Sequence, residues 1–334
     1  MSNSDYAMMR GHDDYGYNFA VGEAFFLADN LYWASTRQTG FGPFYYPLAV
    51  GEKELTEELQ ALHPNKHIVI TNGGKQAIAA ALYAFRNVYS YSSAAHSAPY
   101  WPSYPTLIKA AKLMIEERDG KKESPTLKLS TLINNPNGAV SVDECDLLDC
   151  AYAHSVYGWQ SEWPIHKVSV WSAAKLFGVA GLRLGWLVTS DQRIAEKVAF
   201  YQEITTSGVS VLSQRYGAQL LKYQREHSDV AAATYEAARN VLLRNGEIFN
   251  QTMGPFCSVI QGVPLDGRGM FSWFRVDSEY KDRFDAAINK LKIKLVTGDG
   301  CGVKENGWYR MSMGHRTSYT QEALEQLNTE ITSE

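Results

Sequence analysis

Lys175 and its neighbours are residue types that could form a covalent link and grip a phosphate. The lysine lies in Ser172-Ala-Ala-Lys175-Leu-Phe-Gly178-Val-Ala-Gly181-Leu-Arg183-Leu-Gly185-Trp186, directly after the apolar run Val168-Ser-Val-Trp171. A lysine amine forms Schiff bases with carbonyl cofactors and substrates. The Ser172 hydroxyl before it and the Arg183 guanidinium after it are both phosphate donors. The glycines let backbone approach a ligand closely. An aldehyde cofactor carrying a phosphate, pyridoxal phosphate (PLP), uses all of these groups. A buried strand, a glycine-rich turn and a surface lysine would also give the run, so the rest of the chain has to decide.

Five other segments carry complementary chemistry. Ile68-Val-Ile-Thr-Asn72-Gly73-Gly74-Lys75-Gln76-Ala77-Ile78 reads as strand, glycine turn and helix start. A helix N-terminus presents unpaired N–H groups and the positive end of its dipole to an anion. The spacing of a Walker loop is absent. Pro99-Tyr-Trp101-Pro-Ser-Tyr104 offers a large flat wall for a cofactor ring. Asn134-Asn135-Pro136-Asn137-Gly138 is built from turn formers. In Asp146-Leu-Leu-Asp149-Cys-Ala-Tyr152, Asp149 ends an apolar run, where a carboxylate is costly to bury unless paired. In Trp308-Tyr-Arg310-Met-Ser312, Arg310 can hold a carboxylate bidentately.

In this order the segments resemble those of fold-type I PLP enzymes, the aspartate-aminotransferase superfamily (class I/II), from about Gly22 to Arg310. The match rests on Ser-x-x-Lys with Gly-x-Arg-x-Gly downstream, the Gly-Gly helix start, Asn-Pro-x-Gly, the Asp149–Tyr152 segment and Arg-x-Ser. The resemblance implies the following roles. Lys175 carries the cofactor aldehyde and moves the substrate proton. Asp149 pairs with the pyridine nitrogen, making the ring an electron sink. Asn135 and Tyr152 donate to its phenolic oxygen, and Trp101 stacks on the ring. Gly74, Lys75, Gln76, Ser172 and Arg183 hold the phosphate. Arg310, with Gly22 and Asn135, receives the substrate α-carboxylate. In Tyr45-Tyr46-Pro47-Leu-Ala-Val-Gly51, Tyr46 matches by spacing the tyrosine that reaches the phosphate of a neighbouring subunit, with Tyr45 left open. A homodimer with shared sites follows.

A narrower resemblance is to the alliinase and plant tryptophan-aminotransferase branch. It rests on Tyr100-Trp101-Pro-Ser-Tyr104, Gly178-x-Ala180-Gly181-x-Arg183-x-Gly185-Trp186 and Thr205-Thr-Ser-Gly208-Val-Ser210-Val-Leu-Ser-Gln214. Val179 stands where those plant enzymes usually have histidine, and their N-terminal cysteine-rich module is missing from this sequence.

The elements that must position these residues form an α/β pattern of fold type I. It comprises a mostly parallel sheet in a large PLP-binding domain, 46–210, and an α+β small domain, 1–45 plus 211–334. Strand-like runs at His67–Thr71, Ser93–Ala95, Leu127–Asn134, Leu147–Ala151 and Lys167–Trp171 alternate with helix-like runs. The spacing from Gly138 to Asp149 leaves little room for a crossover helix. Residues 190–205 and 210–250 read as helical. Beyond Gly254 a strand is expected at Gly269–Val276, a helix at Ser278–Leu291, a strand at Trp308–Ser312 and a last helix from Gln321.

The 334 residues suffice for two domains sharing a substantial core. The net charge of −4 is interspersed, giving no basic footprint for nucleic acid and no polybasic membrane patch. No apolar run approaches membrane-spanning length, and the start of the chain lacks the pattern of a signal peptide. The four cysteines show neither Cys-x-x-Cys nor zinc spacing, so no metal is expected and they read as thiols of a reducing cytoplasm.

An aminotransferase moving an amino group from an L-amino acid to a 2-oxo acid is the expected function. An aromatic donor is suggested by the branch resemblance and by Phe25, Phe26, Phe44 and Tyr45. A PLP-dependent C–S (β-elimination) lyase or an amino-acid decarboxylase would use the same cofactor residues, because fold does not fix which bond breaks. A non-enzymatic scaffold would not need the full set.

Overall fold

The computed structural model describes residues 17–18, 47–116, 126–159 and 163–333. The strands are β1 (Tyr17–Asn18), β2 (His67–Thr71), β3 (Ser93–Ala95), β4 (Met114–Glu116), β5 (Thr126–Thr131), β6 (Cys145–Asp149), β7 (His166–Ser172), β8 (Gly185–Thr189), β9 (Cys257–Gly262), β10 (Phe271–Val276), β11 (Ile293–Lys294), β12 (Val296–Thr297) and β13 (Trp308–Ser312). The helices are α1 (Lys53–Leu62), α2 (Gly74–Tyr89), α3 (Tyr104–Ala110), α4 (Ala173–Leu176), α5 (Gln192–Thr206), α6 (Val211–Glu226), α7 (Ser228–Met253), α8 (Val263–Asp266), α9 (Lys281–Lys290) and α10 (Thr317–Thr332).

Seven strands make one sheet in the order β2-β8-β7-β6-β5-β3-β4. Neighbours from β7 to β4 run parallel, and β8 is antiparallel to both β2 and β7. Adjacent apolar residues on each strand enter opposite cores, as the two-residue period requires. Val69, Leu147, Val170 and Leu187 pack with Ala77, Ala81 and Phe85 of α2 and Ile194 and Val198 of α5. Ile70, Leu148, Trp171 and Trp186 pack on the other side with Leu55 and Leu59 of α1 and Leu220 of α6. Burial on both faces explains why these strands read as continuous apolar runs. A second, antiparallel sheet in the order β12-β13-β10-β9 shares a third core with α7, α9 and α10.

No crossover helix links β5 to β6. The chain turns at 134–138, and Ile133 bridges Val140 before β6 begins. Several expected boundaries shift. β5 stops at Thr131 rather than running to Asn134. β6 ends at Asp149, so Cys150 and Ala151 already belong to the turn that carries Tyr152. Residues 210–250 form two helices broken at His227, whose φ of −128° and ψ of 56° leave the helical region. The small sheet's central strand starts at Phe271, two residues after Gly269, which holds a left-handed φ of 75°. The helix expected at Ser278–Leu291 spans Lys281–Lys290. The last helix starts at Thr317, one turn before Gln321, with no side-chain cap to mark it.

Candidate active site

Because β8 is antiparallel to β2 and β7, the C-terminal ends of β2, β5, β6 and β7 share one edge of the large sheet. Ligands of open α/β sheets bind outside this edge. Register brings Thr131 beside Asp149 across β5 and β6, and Ser172 beside Gly185 across β7 and β8. A cavity of about 270 Å³ opens here. That is near the lower end of small-ligand sites, roughly 300–1,000 Å³. Its wall contains Gly74, Lys75, Trp101, Asn135, Asp149, Tyr152, Ser172, Lys175, Arg183 and Arg310. All but one of the sequence candidates among the described residues therefore converge.

The exception is Gln76. Its side chain accepts the Asn72 N–H at 2.6 Å and reaches Thr205 Oγ1 at 3.4 Å, while its own N–H donates to Gly73 O. Tyr46, Tyr45 and Gly22 lie outside the described residues.

At one end of the cavity, the first turn of α2 has no acidic residue and no side-chain cap. Gly73 precedes it with a φ of 84°, in the left-handed region that favours glycine. A Cβ there would stand 2.8 Å from Arg183 Nη2. Gly185 answers from β8: a Cβ on it would come within 2.6 Å of Gly73 C and 2.7 Å of Gly74 N. These two glycines let the helix start, Ser172 and Arg183 close around one small volume. Exposed N–H groups, a hydroxyl and a guanidinium make it an anion cradle.

Asp149 lies within the described cavity wall and is 7% exposed. Its Oδ1 accepts the Ala151 N–H at 2.9 Å and its Oδ2 accepts the Tyr104 hydroxyl at 2.7 Å. Burial raises its carboxyl above the usual range, while the Tyr104 bond, the Ala151 bond and the charge of Lys175 pull it back. Trp101 supplies a flat wall, with its ring 5.4 Å and nearly perpendicular to that of Tyr104. Lys75 Nζ sits 5.4 Å from the Trp101 ring centroid.

From β13, Arg310 enters the same cavity at 4% exposure. Its Nη1 donates to Asn135 Oδ1 at 2.8 Å, and its guanidinium lies 4.2 Å from the Phe271 ring centroid. Asn135 Nδ2 points the other way, 3.5 Å from Tyr152 Oη. The Lys175 backbone is held by the Tyr157 hydroxyl, which donates to its carbonyl.

Two polar residues of the cavity wall, Tyr104 and Thr131, were not assigned a role from the sequence, nor was Phe271, whose ring lies against the Arg310 guanidinium. Tyr104 sits inside the Pro99–Tyr104 segment, yet only the fold shows that its hydroxyl meets Asp149. Thr131 and Phe271 carry no local signal.

The residues present fit PLP. The anion cradle suits a phosphate, Trp101 a flat ring, Asp149 a ring nitrogen that carries a proton, Asn135 and Tyr152 a phenolic oxygen, and Lys175 an aldehyde. Such a set defines a fold-type I PLP enzyme. The family model described as Allinase (Alliinase_C) matches residues 52–331. The chain belongs to that family, on the branch near the plant tryptophan aminotransferase-related proteins, and its cofactor is PLP.

Tryptophan aminotransferase-related protein 2 of Arabidopsis thaliana is 30% identical over 198 residues, 51% of this chain and 44% of that protein. Tryptophan aminotransferase-related protein 1 of Oryza sativa subsp. japonica is 28% identical over 202 residues, 54% of this chain and 46% of that protein. The matched stretch thus spans less than half the length of these relatives. Among solved structures, an aspartate aminotransferase double mutant of Thermus thermophilus superposes with a TM-score of 0.73 at 17% identity, covering 98% of this chain and 95% of that one. The aromatic aminotransferase of Pyrococcus horikoshii gives 0.71 at 16% identity, with 98% of each chain covered. At these identities the structures establish the fold. No helix among the described residues is long and apolar enough to cross a membrane.

Proposed function

We propose that the protein is a PLP-dependent aminotransferase that moves the amino group of an L-amino acid to a 2-oxo acid, with an aromatic amino acid as donor. The observation that carries this reading is the joint placement of Lys175, Asp149 and Arg310 in one cavity wall. When bound, PLP supplies a carbonyl that links to amines and an aromatic ring that takes up negative charge from a substrate carbon. The chain supplies binding, orientation and proton transfer. Arg310, held by Asn135 and stacked on Phe271, receives the substrate carboxylate. Lys175 removes the Cα proton and returns it, a general acid/base role. Asp149 holds the proton on the ring nitrogen. Gly74, Lys75, Ser172 and Arg183 anchor the phosphate. Gln76 lends its place in the helix start rather than its side chain.

The names of the plant relatives support transamination and an aromatic donor. The Allinase description favours a second reading, a C–S lyase that expels a β-substituent. Steady-state kinetics with paired L-amino acids and 2-oxo acids tests the choice. Parallel-line, ping-pong patterns support transamination. Release of ammonia without a need for any 2-oxo acid refutes it.

The division into a large domain over 46–210 and a small domain over 1–45 plus 211–334 is part of the same proposal. So are a homodimer, with Tyr46 and Gly22 completing the site, and a cytoplasmic location. The location is supported by Cys145, Cys150, Cys257 and Cys301, all thiols.

A further inference from the structure

Asp149 is the only carboxylate among the described residues lining the cavity. A short hydrogen-bond relay ends on it. Tyr104 is 1% exposed, and its Oη lies 2.7 Å from Asp149 Oδ2 and 2.6 Å from Thr131 Oγ1. A phenol has one proton to donate, and a carboxylate can only accept. The Tyr104 proton therefore goes to Asp149, and the Thr131 hydroxyl must donate to Tyr104. With Asp149 ionised, valence sets the direction Thr131 to Tyr104 to Asp149, and the pairing of Thr131 with Asp149 across β5 and β6 sets its spacing. An incoming bond polarises a hydroxyl and strengthens the bond it donates.

We propose that Tyr104 is a positioning residue that holds Asp149 as the anion and so keeps the proton of the Asp149–pyridine pair on the ring nitrogen. This inference rests on the cofactor role of Asp149 given above. A hydrogen bond to the charged form of a group favours that form. Without the phenol hydroxyl, Asp149 gains proton affinity, and one proton shifts from the ring nitrogen to the carboxylate with no other bond changed. The other titratable groups around the pair are Lys175 on α4 and Cys150 in the chain after β6, which face Asp149, and Tyr152 in the same cavity wall, which faces Tyr104. Lys175 favours the anion. Burial pushes the Cys150 thiol and the Tyr104 phenol well up, with the charge of Asp149 adding to both, so both stay protonated.

The test is Tyr104→Phe, which keeps the ring packed edge-on against Trp101. In the apoenzyme, carboxyl NMR of Asp149 should show about a tenfold gain in proton affinity, the scale of one hydrogen bond to a charged group. With ¹⁵N-labelled PLP, the ring nitrogen should lose its proton at a pH where the parent keeps it, and PLP should bind about tenfold more weakly. Thr131→Val, which removes only the incoming donor, should move each readout in the same direction by less. A Tyr104→Phe protein with native near-UV circular dichroism and unchanged titration, ring protonation and affinity would overturn the proposal. If that variant does not fold, an unchanged Asp149 titration in Thr131→Val overturns it instead. Asp149→Asn separates the two layers. Unaltered ring protonation in Asp149→Asn refutes the cofactor role of Asp149, while the apoenzyme titration still judges the relay.

Discussion

Arg310 Nη1 donates to Asn135 Oδ1 at 2.8 Å, joining a strand of the small sheet to the turn after β5. The bond and the Phe271 ring, 4.2 Å from the guanidinium carbon, hold at the cavity wall a group whose fork matches a carboxylate. Lysine is a point charge and cannot reproduce the fork. Arg310→Lys should raise KM for the amino-acid donor by about tenfold to a hundredfold, the scale of a lost charged hydrogen bond. PLP affinity should change little. Equal loss of PLP binding would place Arg310 on the cofactor instead.

Lys175→Ala should abolish the cofactor link that borohydride traps in the parent protein. Turnover should fall by roughly 10²–10⁴, the range of a lost general acid/base. Peptide mapping of the reduced parent should find the label on Lys175. A label on Lys75, which also lines the cavity, would reassign the site.

Asp149→Asn keeps the shape of the side chain and removes its charge. The expected rate loss is on the order of 10²–10³, comparable to removing one preorganised electrostatic group, with a smaller loss of PLP affinity. Stopped-flow rates with a saturating donor check this, and an unchanged rate would make Asp149 structural.

These assignments were legible to different degrees in the sequence. The turns were clear because glycine, proline and asparagine are chosen there for backbone reasons: Gly73 needs a left-handed φ and Gly185 a close approach. The strands were clear because burial on both faces makes apolar runs. The contacts of Gln76 could not be read because spacing alone cannot say whether a residue at a helix start offers its side chain or has it bound to Asn72 and Thr205. Thr131 carried no site signal because only the pairing of β5 with β6 sets it beside Asp149, Tyr104 because its hydroxyl partner lies 45 residues away, and Phe271 because only the fold brings its ring against Arg310. The start of α10 was misjudged because Arg316, its N-cap, makes no side-chain cap bond.

Acid should destabilise the protein in a defined window. Burial lowers His63 and His154 from 6.5 to about 4. Their unfolded forms take up protons first, so the stability they contribute is complete above about 6.5 and is lost as pH falls towards about 4. His63 Nε2 accepts the Trp186 Nε1–H at 3.2 Å, a bond that protonation removes. Thermal unfolding of the apoprotein should show Tm falling across this window, and His63→Gln should flatten the fall. An unaltered slope would assign the acid limb to other groups.

On α5, Phe200 and Ile204 lie one turn apart at 49% and 58% exposure, and Leu212 at the start of α6 is 47% exposed. Exposed apolar side chains of this kind are candidates for the self-contacting face that a symmetric dimer needs. Ile204→Glu should shift the protein towards monomer in light scattering and lower activity with it. A fully active monomer would contradict the shared-site proposal.

Transamination is tested most directly by the absorbance of the bound cofactor in two half-reactions. Addition of tryptophan or phenylalanine alone should convert the aldehyde form to the amine form in a single turnover, releasing one equivalent of 2-oxo acid. Addition of a 2-oxo acid alone should then restore the aldehyde spectrum. Pyruvate and ammonia from an S-substituted cysteine, with no amine form from any amino acid tried, would contradict the aminotransferase assignment.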